Sequence, residues 1–221
     1  MKKSLLIIIF LIVLMPPNIY SFNMKQFIYE TQKVDKSNDR LKIMWWIPNH
    51  FWKVTFDDNN MVSEEVKNNI YQYFSNYIIL VIVDVKMLGS GKLISEQKNK
   101  VIKKTYIITH DNDRIHPFKQ RQLPQDMQDF LSQLKPNLST MLGPLGQSMY
   151  FIVFESEKDG KKIVDPSNDE LFRISYKGNE YTWRLPLGFM LPPKMDKKTN
   201  EVFPGNYKYN PYTGSQLFKK E

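Results

Sequence analysis

Cysteine is absent from this 221-residue chain. That excludes a disulfide framework, a thiolate nucleophile and a structural zinc site built on sulfur. Histidine is scarce, with three residues. Gly89-Ser90-Gly91 has neither the Walker lysine spacing nor the dinucleotide pattern, so a phosphate-cradling loop is missing. A Gly-x-Ser-x-Gly elbow and a His-Glu-x-x-His helix are missing too. No motif names a reaction, and the balance leans away from an enzyme. Long apolar runs are also rare, and the one that stands out lies at the N-terminus.

That run carries an address. Lys2 and Lys3 precede eleven unbroken apolar residues, Leu5 to Met15, and the Pro16-Pro17 breaker follows. Ile19 and Ser21 then stand at −3 and −1 of a cleavage site before Phe22, so residues 1–21 read as a signal peptide. The run is shorter than the roughly 20 residues that span a bilayer, and no Cys follows to take a lipid. The expectation is a periplasmic or secreted protein with no transmembrane segment after cleavage. About 200 residues would remain, enough for one domain whose core needs no staple.

The formal charge is +8. Lys92 to Lys104 holds five lysines against Glu96, and Lys194 to Glu221 holds six against Asp196, Glu201 and Glu221. Such patches attract anionic lipid headgroups or wall polymers. Nucleic acid is not expected as a partner outside the cytoplasm. Lysine without arginine or interleaved aromatics also describes an ordinary solvated loop.

Residues 22–44 are polar and mixed in charge, which reads as a flexible spacer. Phe51 to Phe56 alternates as a half-buried strand does. Ser63 before Glu64-Glu65 is an N-cap, and Val66, Ile70, Phe74 and Tyr77 share a helical face. Ile78 to Val85 suits a central strand covered on both sides. Val101–Thr109 reads as another strand, with Ile115 to Phe118 as its short return after the Asp111-Asn112-Asp113 turn. A helix is expected from Pro124, broken at Pro136, with a second short one over Leu138 to Leu142. Met149 to Glu155 is a strand, and Lys177-Gly178-Asn179 joins a hairpin of 171–176 and 181–185. These elements predict a mainly β (α+β) domain over 45–190, an antiparallel β-sandwich of immunoglobulin-like type with two helical insertions. The alternative is a ferredoxin-like β-α-β-β-α-β unit starting from strand 51–56.

Two constellations invite chemistry. His110, Asp111, Asp113 and His116 lie within one turn and its flanks, where imidazole and carboxylate can bind a metal or pair as acid and base. The same residues are also what a tight turn wants, so no metal or catalytic residue is assigned. Trp45, Trp46, Phe51 and Trp52 can stack on a sugar or peptide, or simply fill a core. His50 between them reads as packed or surface rather than catalytic.

In the tail, Asp196-Lys197-Lys198-Thr199-Asn200 and Asn210-Pro211-Tyr212-Thr213-Gly214 have the spacing of two zinc-ribbon knuckles, with Tyr207-Lys208-Tyr209 before the second. Trp183-Arg184-Leu185-Pro186-Leu187-Gly188 and Leu191-Pro192-Pro193-Lys194 lie upstream. So do Leu123-Pro124, Leu134-Lys135-Pro136, Met141-Leu142-Gly143-Pro144 and Gly146-Gln147. On these motifs the chain resembles a family of uncharacterised bacterial exported proteins that end in a zinc ribbon. The resemblance implies no activity. The ligand positions would be Asp196, Thr199, Asn210 and Thr213, so 191–221 is expected to be a degenerate, metal-free ribbon-like hairpin, or a loose tail. The functional expectation is an exported, non-catalytic module of the cell envelope that binds a protein or an anionic polymer. Electrostatic adhesion through the lysine-rich loops is the alternative, and a metal-dependent hydrolase on His110, Asp111 and His116 a third reading.

Overall fold

A computed structural model describes residues 24–57, 62–168 and 170–220. The export signal read at 1–21 lies outside them. The expected spacer is replaced by structure from Met24 onward: α1 (Met24–Thr31), then the hairpin β1 (Gln32–Ser37) and β2 (Arg40–Ile47). Composition hid this because the polar hairpin end projects beyond the core, while Phe27, Ile43 and Met44 anchor the buried end.

The predicted strand at 51–56 is a helix, α2 (Asn49–Asp57). Phe51 stacks on Phe27 and Trp52 stacks on Phe74, in the same layer of core. Adjacent residues that reach one layer need helical geometry, because a strand sends them to opposite faces. Without that strand, the ferredoxin-like unit loses its start. Helix α3 (Glu64–Ser75) follows, with the Ser63 Oγ accepting the Val66 N–H at 3.4 Å as its cap.

Strand β3 (Tyr77–Met87) is central. Ile78 to Val83 are all within 3% of full burial. Each such side chain contributes roughly 1.5–3 kcal/mol relative to staying in water. β2 pairs along one side of β3, and β4 (Leu93–Ser95) takes part of the other. The predicted strand 101–109 is split into helix α4 (Lys98–Lys104) and strand β5 (Thr105–Ile108). Lys103 and Lys104 close α4 where the helix dipole favours cations. The return strand shrinks to β6 (Arg114–Ile115).

Helix α5 (Gln125–Leu142) runs unbroken through Pro136, joining the two predicted pieces. Pro136 deprives the Ser132 carbonyl of a helical donor, and Ser132 is exposed, so water can serve that group. Strand β7 (Met149–Glu155) pairs with Tyr77–Val83 of β3. A small ribbon, β8 (Glu157–Lys158) with β9 (Lys161–Lys162), follows. The predicted hairpin is β10 (Leu171–Tyr176) and β11 (Asn179–Arg184), turning on Lys177 and Gly178, both at positive φ.

The fold is therefore β-rich α+β, with antiparallel sheets and several helices. The first sheet is β1-β2-β3, with β4 and β7 sharing the far side of β3; the second is β11-β10-β5-β6. Leu80 and Ile82 of the first sheet meet Phe172, Ile174 and Trp183 of the second in one core. Val81 and Val83 face the other way, toward Trp52, Phe74 and Phe130 of the helices.

One polar residue interrupts that run. Asp84 points toward the second sheet and is completely buried, accepting from Arg40 Nε at 2.6 Å, Tyr176 Oη at 2.6 Å and Lys177 Nζ at 2.8 Å. Lys177 also reaches Glu96, so the cluster ties the two sheets at one end. Burial by itself raises the Asp84 carboxyl, yet the hydrogen bonds from Arg40, Lys177 and Tyr176 outweigh it and hold it below its ordinary 3.8. The Lys177 hydrogen bond lowers Glu96 in the same direction. Replacing Asp84 by Ala strands these donors, and urea unfolding should show a loss of about 3 kcal/mol. Because both carboxyls are depressed in the folded state, below ordinary values of 3.8 and 4.5, their contribution is complete above about pH 5 and falls away as pH drops further. An unfolding series from pH 6 to pH 2 checks that sign: wild type should weaken steeply below about pH 4 and Asp84→Ala less so.

Candidate functional site

β7 is an edge strand. It pairs with β3 on one side, and no strand pairs with its other side among the described residues. In an antiparallel ladder successive residues point their backbone groups alternately toward and away from the partner. The Val153 carbonyl accepts from the Phe118 N–H at 2.8 Å on the outer side, so Met149, Phe151 and Val153 all face outward. The Met149 N–H is taken by the Gly146 carbonyl. The N–H and C=O of Phe151 have no partner among the described residues.

This stretch forms the floor of a groove of about 390 Å³. One wall is α5, through Gln128, Leu131 and Lys135; the other is α4, through Lys98 and Ile102. Phe118 and Leu123 close the Val153 end. The α4 and α5 lysines belong to different elements, and the fold places both on the groove. Partial burial lowers the Lys98 ammonium below its usual value, and the neighbouring charge of Lys135 lowers it further. The Lys135 Nζ lies 5.9 Å from the centre of the Tyr150 ring and forms no ion pair among the described residues. Asp129 is the acidic residue on the rim, and its carboxylate accepts from Gln125 at 2.8 Å. The groove thus offers the Phe151 backbone, which has no partner among the described residues, and walls that mix apolar residues with Lys98 and Lys135. It holds no nucleophile–base pair.

The residues singled out from sequence lie elsewhere. His110 and His116 are both exposed. His116 lies against Tyr106, Asp113 pairs with Lys158 at 2.6 Å, and the Thr109 side chain accepts the Asp113 N–H. No group of three or more His, Asp or Glu able to hold a metal is found among the described residues. Trp45, Trp46 and Trp52 are core, each at most 3% exposed. His50 lines a separate hollow of about 230 Å³ beside Asn49 and Lys53, with its ring 6.1 Å from Phe189. Lys92–Lys104 is divided among strand β4, short loops and α4, and of its five lysines Lys98 lines the groove. No helix among the described residues is long and apolar enough to cross a membrane.

The tail is folded and packed rather than loose. β12 (Lys194–Met195) lies between β13 (Val202–Phe203) and β14 (Phe218–Lys219). Its two turns share one construction. Asp196 Oδ1 accepts the Lys198 N–H, and the Asp196 carbonyl accepts from Asn200, which has φ 60°. Asn210 Oδ1 accepts the Tyr212 N–H, and the Asn210 carbonyl accepts from Gly214 at φ 74°. The turns are joined directly: Asp196 Oδ2 accepts from Asn210 Nδ2 at 2.7 Å, from Thr213 at 3.4 Å and from Ser215. Thr199 turns aside to Glu201. Zinc does not fit the four ribbon positions, since thiolate and imidazole are absent from them and Asp196, the carboxylate among them, is already engaged by Asn210, Thr213 and Ser215. The Ser215 and Asn210 hydrogen bonds drive the Asp196 carboxyl far below its usual range. Gly188 seats this unit on the body, because a Cβ there would lie 2.5 Å from Asn206, 2.7 Å from Glu30 and 2.7 Å from Pro204.

Comparisons with protein-family models, with curated proteins and with solved structures found no match to this chain.

Replacing Asp196 by Ala should open the paired turns, so that trypsin cuts after Lys197 or Lys198 about tenfold faster than in wild type. A chelator should leave the wild-type rate unchanged. If a chelator accelerates cleavage, a metal rather than Asp196 holds the turns.

Proposed function

We propose that this chain is an exported, non-catalytic module of the cell envelope that binds a partner protein along the β7 edge. The observation that carries this reading is a strand edge that no described strand pairs, set in a walled groove with the Phe151 backbone without a partner among the described residues. A bare edge invites indiscriminate pairing, whereas a recessed one admits only a segment that fits between the walls. The N-terminal apolar run and its cleavage pattern support export. The face-packed antiparallel sheets support the finer reading as an immunoglobulin-like sandwich, here with a helical layer added to one outer face. The two matched turns of the tail support kinship with the exported family that ends in a zinc ribbon.

In-cell crosslinking of the tagged protein, followed by mass spectrometry, tests the reading. One dominant protein should be captured, and linkers placed at Gln128 or Ser132 on the groove wall should capture it better than one placed at Lys219. A partnerless band overturns the proposal. The exposed Lys197, Lys198, Lys219 and Lys220 favour a second reading, adhesion to an anionic polymer or membrane. That version predicts binding to anionic vesicles or wall fragments that is abolished by about 0.5 M salt.

A further inference from the structure

The three-stranded sheet of the tail has two unlike faces, and its register assigns residues to them. Met195 of β12 lies opposite Val202 of β13 and opposite Phe218 of β14, so the three side chains form one row across one face. Lys194, Phe203 and Lys219 make the next row, on the other face. There Phe203 is buried, its ring stacked 6.4 Å from that of Tyr207. The Met195 row faces out instead: Val202 is 51% exposed and Phe218 41%. The Lys220 N–H carries the ladder on to the Pro193 carbonyl, which puts Lys220 on the face of the Met195 row. The Asp196 N–H carries it the other way to the Glu201 carbonyl, which puts both acids on the opposite face. Lys197 and Lys198 stand in the turn that joins Met195 to Val202, and the Lys197 Nζ lies 4.4 Å from the centre of the Phe218 ring. Lys197, Lys198 and Lys220 are exposed and form no ion pair among the described residues.

We infer that this face docks on an anionic lipid membrane, with Val202, Met195 and Phe218 at the acyl boundary and Lys197 and Lys220 among the headgroup phosphates. The inference rests on the adhesion reading above and chooses among its partners. A wall polymer would satisfy the lysines but leave the apolar row in water, where it gains nothing. A second copy of the chain would cover the row, but face-to-face pairing brings the same lysines together. A lipid surface meets both demands at once. Lysine suits the rim of such a contact, because its hydrocarbon stem lies along apolar surface while the ammonium stays with water and phosphate. Lys197 already sits over the ring at one end of the row. With Asp196 and Glu201 on the far face, no acid of the ladder is turned toward the lipid. Three apolar side chains make a shallow contact, so docking is reversible and needs the row and the cations together.

The test uses the chain from Phe22 onward, the expected product of cleavage, which keeps every described element. Cosedimentation is measured with vesicles of phosphatidylcholine and phosphatidylglycerol in about equal parts, and with phosphatidylcholine alone. The mixed vesicles should bind at least about tenfold more tightly. Lys197→Gln/Lys220→Gln should lose about twentyfold of that affinity. Val202→Ser/Phe218→Ser, checked for an unchanged melting temperature, should lose about tenfold on vesicles. It should still bind dextran sulfate, a polyanion without alkyl chains, as wild type does. Because the chain lacks cysteine, Val202→Cys takes a single polarity-sensitive dye. Its emission should shift to the blue on mixed vesicles, and a dye on Lys219→Cys, on the other face of the same sheet, should shift far less. Equal affinity for the two vesicles, unchanged vesicle binding by the Val202/Phe218 variant, or equal dye shifts at 202 and 219 overturns the inference. So does a concentration-dependent dimer or a protein partner that shifts the dye at 202 without lipid. If dextran sulfate binds in a salt-sensitive way while the vesicles fail, the inference falls and the adhesion reading stands. If neither binds, both fall.

Discussion

Strand β3 must be covered on both faces, and the rest of the architecture follows from that requirement. Its Ile78–Val83 run leaves no side for water. One face needs a second sheet and the other a layer of helices, so a two-layer solution would expose half of the run. The two cores, one between sheets and one beneath the helices, are the two sides of this single strand. Asp84 continues the same alternation on the inter-sheet side. It is tolerated there because Arg40, Lys177 and Tyr176 converge on it where the sandwich ends, matching a buried charge with donors from both sheets.

The same constraint explains why β7 stays open. β7 supplies a hydrogen-bonded neighbour for the first part of β3, and its Met149 and Val153 side chains complete the helical core. Once those needs are met, nothing in the packing requires another strand beyond it. The flanking helices α4 and α5 rise as walls instead. The Phe118 N–H takes the outward Val153 carbonyl, and Phe151 has no backbone partner among the described residues. The groove is thus what remains after the core is satisfied, and its polarity comes from residues that share no element.

The tail shows two turns of one construction fastened to each other by side chains. In both turns an Asx side chain accepts a following backbone N–H, and a residue at positive φ closes the loop. Asp196 and Asn210 then bond to each other across the space between the turns. Hydrogen bonds to one buried carboxylate do there what a shared ion does in a ribbon that binds metal.

Several elements were legible because they depend on neighbours in sequence: the Ser63 cap, the turn at Lys177-Gly178, and the unbroken apolar run that becomes β3. Others misled for a physical reason. Phe51 to Phe56 has strand-like alternation, yet its aromatic pair serves one layer and forms a helix. Residues 24–44 look like a solvated spacer, yet β2 is recruited by eight paired residues of β3. Asp84, the lone acid in an apolar run, was the sequence signal for the ion cluster, but its partners lie far away in the chain. The amino-acid sequence by itself determined the β-rich class, the absence of thiolate chemistry, the central strand and the tail's turn positions, since these follow from composition and short-range pattern. Only the tertiary structure decided that no described strand pairs with the outer side of β7 and that Lys98 and Lys135 line the groove beside it. Edge status and convergence depend on which distant segments pack together, and no local pattern encodes them.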